Sequence, residues 1–345
     1  MTAGVLGLLS FYPGGMVVNV IEVKKLSKIY DNKTAVDGAD FAVRRGEIFG
    51  FLGPNGAGKT TTINMLTGLA RISSGQVRIM GQDYSSGVKK AQHLMGVVPD
   101  ESNLYEEMDG FENLTFCAAL YGMERKMREK RARELLEMFG LAQAGQKPFK
   151  AYSKGMKRKL TIAAGIIHQP EILFLDEPTT GIDVASARQI RKLVGDLNQG
   201  GTSIFLTTHY MEEAERLCHR LAFIVEGRII RLGRTEKLMQ EAQKENIVQF
   251  AFQGDGKKLQ QLEERLPGVN RVEQMNESTA RIYSSEAVDL VSLVDIFREN
   301  GFSLFEARVI RPSLEEVFVN ITGIEHGRHG SGWAGAVAEE EVEIQ

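Results

Sequence analysis

Two textures alternate along the chain from residue 17 to about 238. Short runs that are apolar at every position, at 48–52, 172–175 and 204–206, are interleaved with longer stretches of helical spacing such as 61–69. A strand that is apolar throughout is buried on both faces, the habit of a parallel sheet covered by helices. The alternation therefore predicts an α/β domain, with its first strand at 17–23. Beyond residue 245 the pattern changes. Residues 247–252 read as a strand, 257–266 as a helix, 269–275 and 279–283 as strands, 287–300 as a helix and 303–309 as a strand. The order βαββαβ is the ferredoxin-like arrangement. Pro312 then opens a last short helix, 313–321. Leu290, Val291, Val294 and Phe297 are assigned to one apolar helical stripe and so to the core.

The two ends read differently. Residues 1–21 carry no charged side chain, but Pro13-Gly14-Gly15 interrupts the apolar run and Asn19 lies inside it. A membrane-spanning helix needs about 20 mostly apolar residues, and a signal peptide opens with positive charge. Neither fits, so residues 1–16 are expected to be an unstructured leader, with Met16 the natural start. From residue 324 the chain is Gly-rich and then acidic (Glu339-Glu340-Glu341), the composition of a disordered tail.

Composition narrows the classes. A hydrophobic fraction of 43% with 25% charged residues is a globular mix. A net charge of −3 gives no case for nucleic-acid binding through bulk basicity. The basic run at 125–133 reads as a solvated helix face, because acids alternate with the bases. Two cysteines, Cys117 and Cys218, build neither a disulfide framework nor a zinc site. Glycine is the outlier at 36 residues.

Some of those glycines cluster where chemistry is expected. Gly53-Pro54-Asn55-Gly56-Ala57-Gly58-Lys59-Thr60-Thr61 follows the strand 48–52 and opens the helix 61–69. Glycines let backbone N–H groups turn inward around phosphates, and the next helix aims its N-terminus at negative charge. Lys59 can reach the β- and γ-phosphates and the Thr60 hydroxyl can ligate Mg²⁺. A second apolar strand, 172–175, runs into Asp176-Glu177. Two carboxylates at a core boundary are costly without a partner. Asp176 can hold Mg²⁺ through water, and Glu177 can polarise the water that attacks the γ-phosphate.

Between these elements lies Tyr152-Ser153-Lys154-Gly155-Met156-Lys157-Arg158-Lys159. After them come Pro178-Thr179-Thr180-Gly181-Ile182-Asp183 and Thr207-Thr208-His209. In this order the motifs resemble the ATP-binding subunit of an ABC transporter over residues 17–323. The resemblance implies that Tyr30 stacks on adenine and that Ser153 and Gly155 reach the γ-phosphate held by the opposite subunit. It also implies that Asp183 is the D-loop residue and His209 the switch histidine. Taken alone, Ser153 is a helix cap, His209 a structural histidine and Tyr30 a strand-end aromatic; the order of motifs gives them these roles.

Two departures stand out. Lys154 and Met156 replace a Gly and the Gln of the common Leu-Ser-Gly-Gly-Gln signature. The variant resembles the drug, antibiotic and sodium exporter branch, as do Phe111-Glu112-Asn113-Leu114, Tyr210-Met211-Glu212-Glu213-Ala214-Glu215 and Pro312-Ser313-Leu314-Glu315-Glu316-Val317-Phe318. Asp100 stands where the family's Q-loop carries Gln; its carboxylate can still accept from a metal-bound water.

The expected molecule is an α/β P-loop NTPase (ABC ATPase) domain over 17–240, with a helical subdomain at about 100–165. A small α+β ferredoxin-like domain follows at 245–323, then a disordered tail at 324–345. Two copies, as a homodimer, would pair head-to-tail around ATP and Mg²⁺ on the cytoplasmic face of the membrane. They would drive a separately encoded permease as an exporter, without nucleic acid. The alternatives are a soluble ABC ATPase of translation or DNA repair and a non-hydrolysing regulatory subunit.

Overall fold

The computed structural model describes residues 18–85, 88–242, 246–254, 259, 268–285, 289–310 and 313–323. The leader, Pro312, the tail and all but Leu259 of the helix expected at 257–266 lie outside them. The chain divides into two compact units, meeting at Gly233 and Arg234.

The first unit opens with β1 (Asn19–Tyr30), β2 (Lys33–Arg44), β3 (Ile48–Leu52), α1 (Lys59–Thr67), β4 (Ser74–Ile79), β5 (Gln82–Asp83) and β6 (Met95–Val98). Helices α2 (Gly110–Leu120), α3 (Arg125–Met138) and α4 (Lys154–Gly165) follow, then β7 (Ile172–Asp176), α5 (Val184–Gln199), β8 (Ser203–Thr208), α6 (Met211–Leu217), β9 (Arg220–Val225) and β10 (Arg228–Arg234). β1 extends well beyond the expected 17–23. Lys24-Lys25 breaks the apolar alternation there, and the backbone absorbs the break as an irregularity in pairing, with Lys25 at φ 48°.

Two sheets share this unit. One is four-stranded in the order β2-β1-β4-β5 with antiparallel pairing. The other is six-stranded in the order β10-β9-β3-β8-β7-β6, with β9, β3, β8, β7 and β6 parallel. Every residue of β3, β7 and β8 is buried, as the apolar runs require. Phe49, Phe205 and Phe174 are register partners across β3, β8 and β7, and Phe41 of β2 lies against the first two. This aromatic layer joins the two sheets in one core. Each fully buried Phe contributes about 1.5–3 kcal/mol of burial.

The second unit holds α7 (Thr235–Ala242), β11 (Asn246–Gln253), β12 (Val269–Asn276), β13 (Thr279–Ser284), α8 (Leu290–Glu299), β14 (Ser303–Ile310) and α9 (Leu314–Thr322). Its sheet is antiparallel in the order β12-β13-β11-β14. Helix α7 packs against α9, and the second unit begins at Arg234 where the sequence placed its start at 245. The core stripe of α8 also differs from expectation. Leu293 and Phe297 are buried, whereas Val291 is 70% exposed. At 100° per residue Val291 lies about 160° around the helix from Leu293, so the two cannot share a face. The core is completed by Phe250, Phe252, Leu259, Ala280, Ile282 and Phe302.

Candidate nucleotide-binding site

In an open parallel sheet, ligands bind beyond the carboxyl ends of the strands. Here the strand order decides which motifs meet. Reading across the sheet, β6 ends at Pro99-Asp100, β7 at Asp176-Glu177, β8 at His209, β3 at the glycine-rich loop and β9 at Glu226-Gly227. Motifs scattered over more than half the chain thus become neighbours along one edge. They border a cleft of about 780 Å³, lined in part by Tyr30, Asn55, Gly56, Gly58, Lys59, Thr60, Thr61, Asp100 and Glu177.

The loop after β3 has little choice of residue. Gly58 has φ 105°, and a Cβ there would lie 2.5 Å from the Ala35 carbonyl oxygen; at Gly53 it would lie 2.1 Å from that of Ile224. Between them, Ala57 N–H donates to Pro54 O at 3.2 Å, closing the turn. Gly58 caps α1, which begins on Lys59 rather than at the expected residue 61. Lys59 and Thr60 therefore sit in the first helical turn, where the helix's positive dipole end faces the cleft. Lys59 is buried, and its Nζ donates to Gly53 O (2.8 Å) and Pro54 O (3.1 Å) and pairs with Glu177 Oε1 at 3.2 Å.

Glu177 is the hub. It is buried, its second oxygen lies 2.7 Å from His209 Nδ1, and Thr180 donates to that same oxygen at 3.1 Å. Burial works to raise its pKa. The His209 hydrogen bond and the charge of Lys59 outweigh burial and hold the carboxyl below the ordinary glutamate value. Its backbone is left-handed at φ 47°, a conformation that non-glycine residues adopt at a cost and that here turns the chain off the strand end. Asp176 is buried beside it and accepts a hydrogen bond from Thr207 Oγ1 of β8.

Tyr30, at the end of β1, is half-exposed at the cleft with Lys28 Nζ 4.5 Å from its ring centroid. Asp100 enters from the β6 side. Burial pushes its carboxyl pKa up, Arg158 opposes this, and the nearby Asp176 and Glu177 push the same way as burial. Among the described residues no three His, Cys, Asp or Glu side chains converge on a cation position. The Thr60 hydroxyl and the carboxylates of Asp176 and Asp100 are hard oxygen donors of the kind Mg²⁺ takes together with phosphate and water.

Ser153, Gly155 and Asp183 do not line this cleft; they form a second group. Ser153 caps α4, accepting from Met156 N at 3.3 Å, and Asp183 caps α5, accepting from Ser186 N at 2.9 Å. The Ser186 side-chain and backbone hydrogen bonds hold the Asp183 carboxyl below its ordinary pKa. Gly155 is where the two helices meet: a Cβ there would fall 2.2 Å from Ser186 Oγ.

Several contributors escaped the sequence reading. Lys33, Thr34, Ala35, Glu226 and Gly227 also line the cleft, brought there by a strand order that no local pattern reveals. Glu213 of α6, fully buried, accepts from Thr179 Oγ1 at 2.8 Å just after the Glu177 turn. Arg158 is buried in α4 although it sits in a basic run. Its spacing from Gly155 and Ile162, both buried, was the available signal.

A family model described as ABC transporter matches residues 36–180. The chain is 36% identical to a linearmycin resistance ATP-binding protein of Bacillus subtilis (strain 168), over 88% of this chain and 98% of the relative. It is 37% identical to a Nod factor export ATP-binding protein of Ralstonia nicotianae, over 91% of this chain and 97% of that one. A solved ATP-binding subunit of an ABC transporter superposes with TM-score 0.59 at 30% identity, covering 64% of this chain and 92% of its own. A dimeric ATP-binding cassette bound to ADP and phosphate superposes with TM-score 0.58 at 23% identity, covering 62% and 98%; at that identity it speaks to fold alone.

Proposed function

We propose a working cycle for a chain that belongs to the ABC transporter ATP-binding subunits, a family of ATPases that pair with a second cassette and serve a transmembrane permease. ATP sits in the cleft with its phosphates in the loop 53–61 and its base against Tyr30. The observation that carries this reading is Glu177 held between Lys59 and His209, at 3.2 Å and 2.7 Å. A γ-phosphate competes with Glu177 for the Lys59 ammonium, which frees one carboxylate oxygen to accept a proton from the attacking water. His209, on the other oxygen, keeps the carboxylate oriented and is placed to sense the phosphate. Mg²⁺, when bound, supplies charge neutralisation on the phosphates, with Thr60, Asp176 and Asp100 as its protein-side contacts.

The separation of Ser153, Gly155 and Asp183 from the cleft supports a head-to-tail homodimer in which each chain completes the other's site. Closure on ATP and reopening after hydrolysis then drive the permease between its two faces. The likeness to a Nod factor export ATP-binding protein supports export. No described helix is long and apolar enough to cross a membrane, so attachment is assigned to the permease at the cytoplasmic face. The net charge of −3 favours a role without nucleic acid. The sheet order of the second unit supports reading it as a ferredoxin-like accessory domain.

Glu177→Gln is the test of the site. It should abolish ATP turnover while ATP still brings two chains together; normal turnover would contradict the proposal. Recovery of one polytopic protein with tagged Glu177→Gln from native membranes, in ATP and Mg²⁺, would identify the permease. Co-purification with ribosomes or DNA-processing enzymes instead would refute the transport role.

A further inference from the structure

Arg158 lies on α4, five residues after Ser153, and is 4% exposed. Among the described residues, its guanidinium donates to backbone carbonyls. Nε reaches Pro178 O (2.9 Å), Nη2 reaches Asp176 O (2.5 Å), and Nη1 reaches both Asp100 O (2.9 Å) and Pro99 O. Two of these carbonyls bracket Glu177 and the other two belong to the segment that carries Asp100. The helix bearing the guanidinium starts at Ser153. One planar fork therefore ties three segments that the sheet alone does not fix to each other: the turn after β7, the segment after β6, and the N-terminal half of α4.

A buried cation is an expensive way to hold a core together, and apolar packing of similar volume is often as stable. Burial lowers the pKa of Arg158, with the nearby Asp100, Asp176, Glu213 and Glu177 charges opposing that fall. What the guanidinium offers and an apolar side chain does not is direction, since its donors point along fixed lines in one plane. We infer that Arg158 is a positioning residue. It locks the Asp100 segment to the Glu177 turn and to the Ser153 helix, so that displacement of one shifts the others. Lys159, next in the chain, is half-buried and bonds to Gln189 instead, so the run of bases does not share the task. The link from Glu177 to Ser153 matters for turnover only if each chain's Ser153 serves its partner's nucleotide, so that part rests on the head-to-tail reading above.

The test uses the full chain as Arg158→Met and Arg158→Lys, with kcat and KM for ATP measured per folded protein. Loss of positioning should lower kcat by about 10–100-fold, the scale of an ångström-level misplacement. KM should stay within about threefold, because the phosphate loop is untouched. Lys, which keeps the charge and loses the fork, should not rescue. In the Glu177→Gln background, Arg158→Met should also reduce the ATP-induced dimer seen by size exclusion. A kcat within about twofold of wild type in either folded variant, or a loss confined to KM, would overturn the inference. If the Met variant does not fold, the Lys variant decides on the same criteria. Should Glu177→Gln itself turn over normally, the reading of the site fails, and this inference with it.

Discussion

Glu177 stays ionised against the cost of its own burial, and that balance sets how the protein responds to acid. Its folded pKa lies below the ordinary value of 4.5, so the stability it contributes is present above that value. The contribution is lost as pH falls through the folded pKa. Denaturant midpoints of wild type and Glu177→Gln should therefore differ most at neutral pH and converge toward strongly acid pH. Glu213 behaves in the opposite sense. Burial raises its pKa, Thr179 and Thr208 only partly offset this, and the folded pKa lies above 4.5. Its contribution is complete below 4.5 and declines as pH rises toward the folded pKa. Glu213→Gln, neutral at every pH, should gain stability relative to wild type as pH rises above 4.5, as chemical denaturation would show. A gain in the reverse direction would mean that Glu213 is buried as a carboxylate. At Gly58 the backbone sets the limit. An Ala there meets both φ 105° and a carbonyl at 2.5 Å, so Gly58→Ala should cost at least about 1–2 kcal/mol and weaken ATP binding, measured by denaturation and equilibrium dialysis.

At the level of elements, the legible parts were those whose chemistry is written next to a strand. The strands β3, β7 and β8 are built on the apolar runs 48–52, 172–175 and 204–206, so their carboxyl ends, and with them Lys59, Asp176, Glu177 and His209, could be placed before any fold was known. Glu226 and Lys33 could not, because they reach the cleft only through strand order. Arg158 was hidden differently: a basic run looks like a solvated face until the neighbouring loops supply carbonyls. In α8 the apolar residues were recognised but their angular positions were not, and Val291 was counted as core. The exposure difference makes this checkable. Phe297→Ala should destabilise the second unit by about 3–5 kcal/mol, whereas Val291→Ala should change it by less than about 0.5 kcal/mol. Domain-resolved unfolding by hydrogen exchange would separate the two.

For the whole molecule, the central claim is that a nucleotide site needs two chains. The phosphate loop and Glu177 face one cleft, and Ser153, Gly155 and Asp183 stand apart from it on the caps of α4 and α5. Asn55 and Ser153 are both exposed, so each accepts a reporter cysteine without core damage. The most direct measurement mixes a chain carrying Asn55→Cys with one carrying Ser153→Cys, both with Cys117 and Cys218 replaced and Glu177→Gln. A short thiol cross-linker is then added with and without ATP. The account predicts Asn55–Ser153 cross-links between chains that appear with ATP and vanish without it. Cross-links joining Ser153 to Ser153, or Asn55 to Asn55, or a yield indifferent to ATP, would contradict head-to-tail pairing.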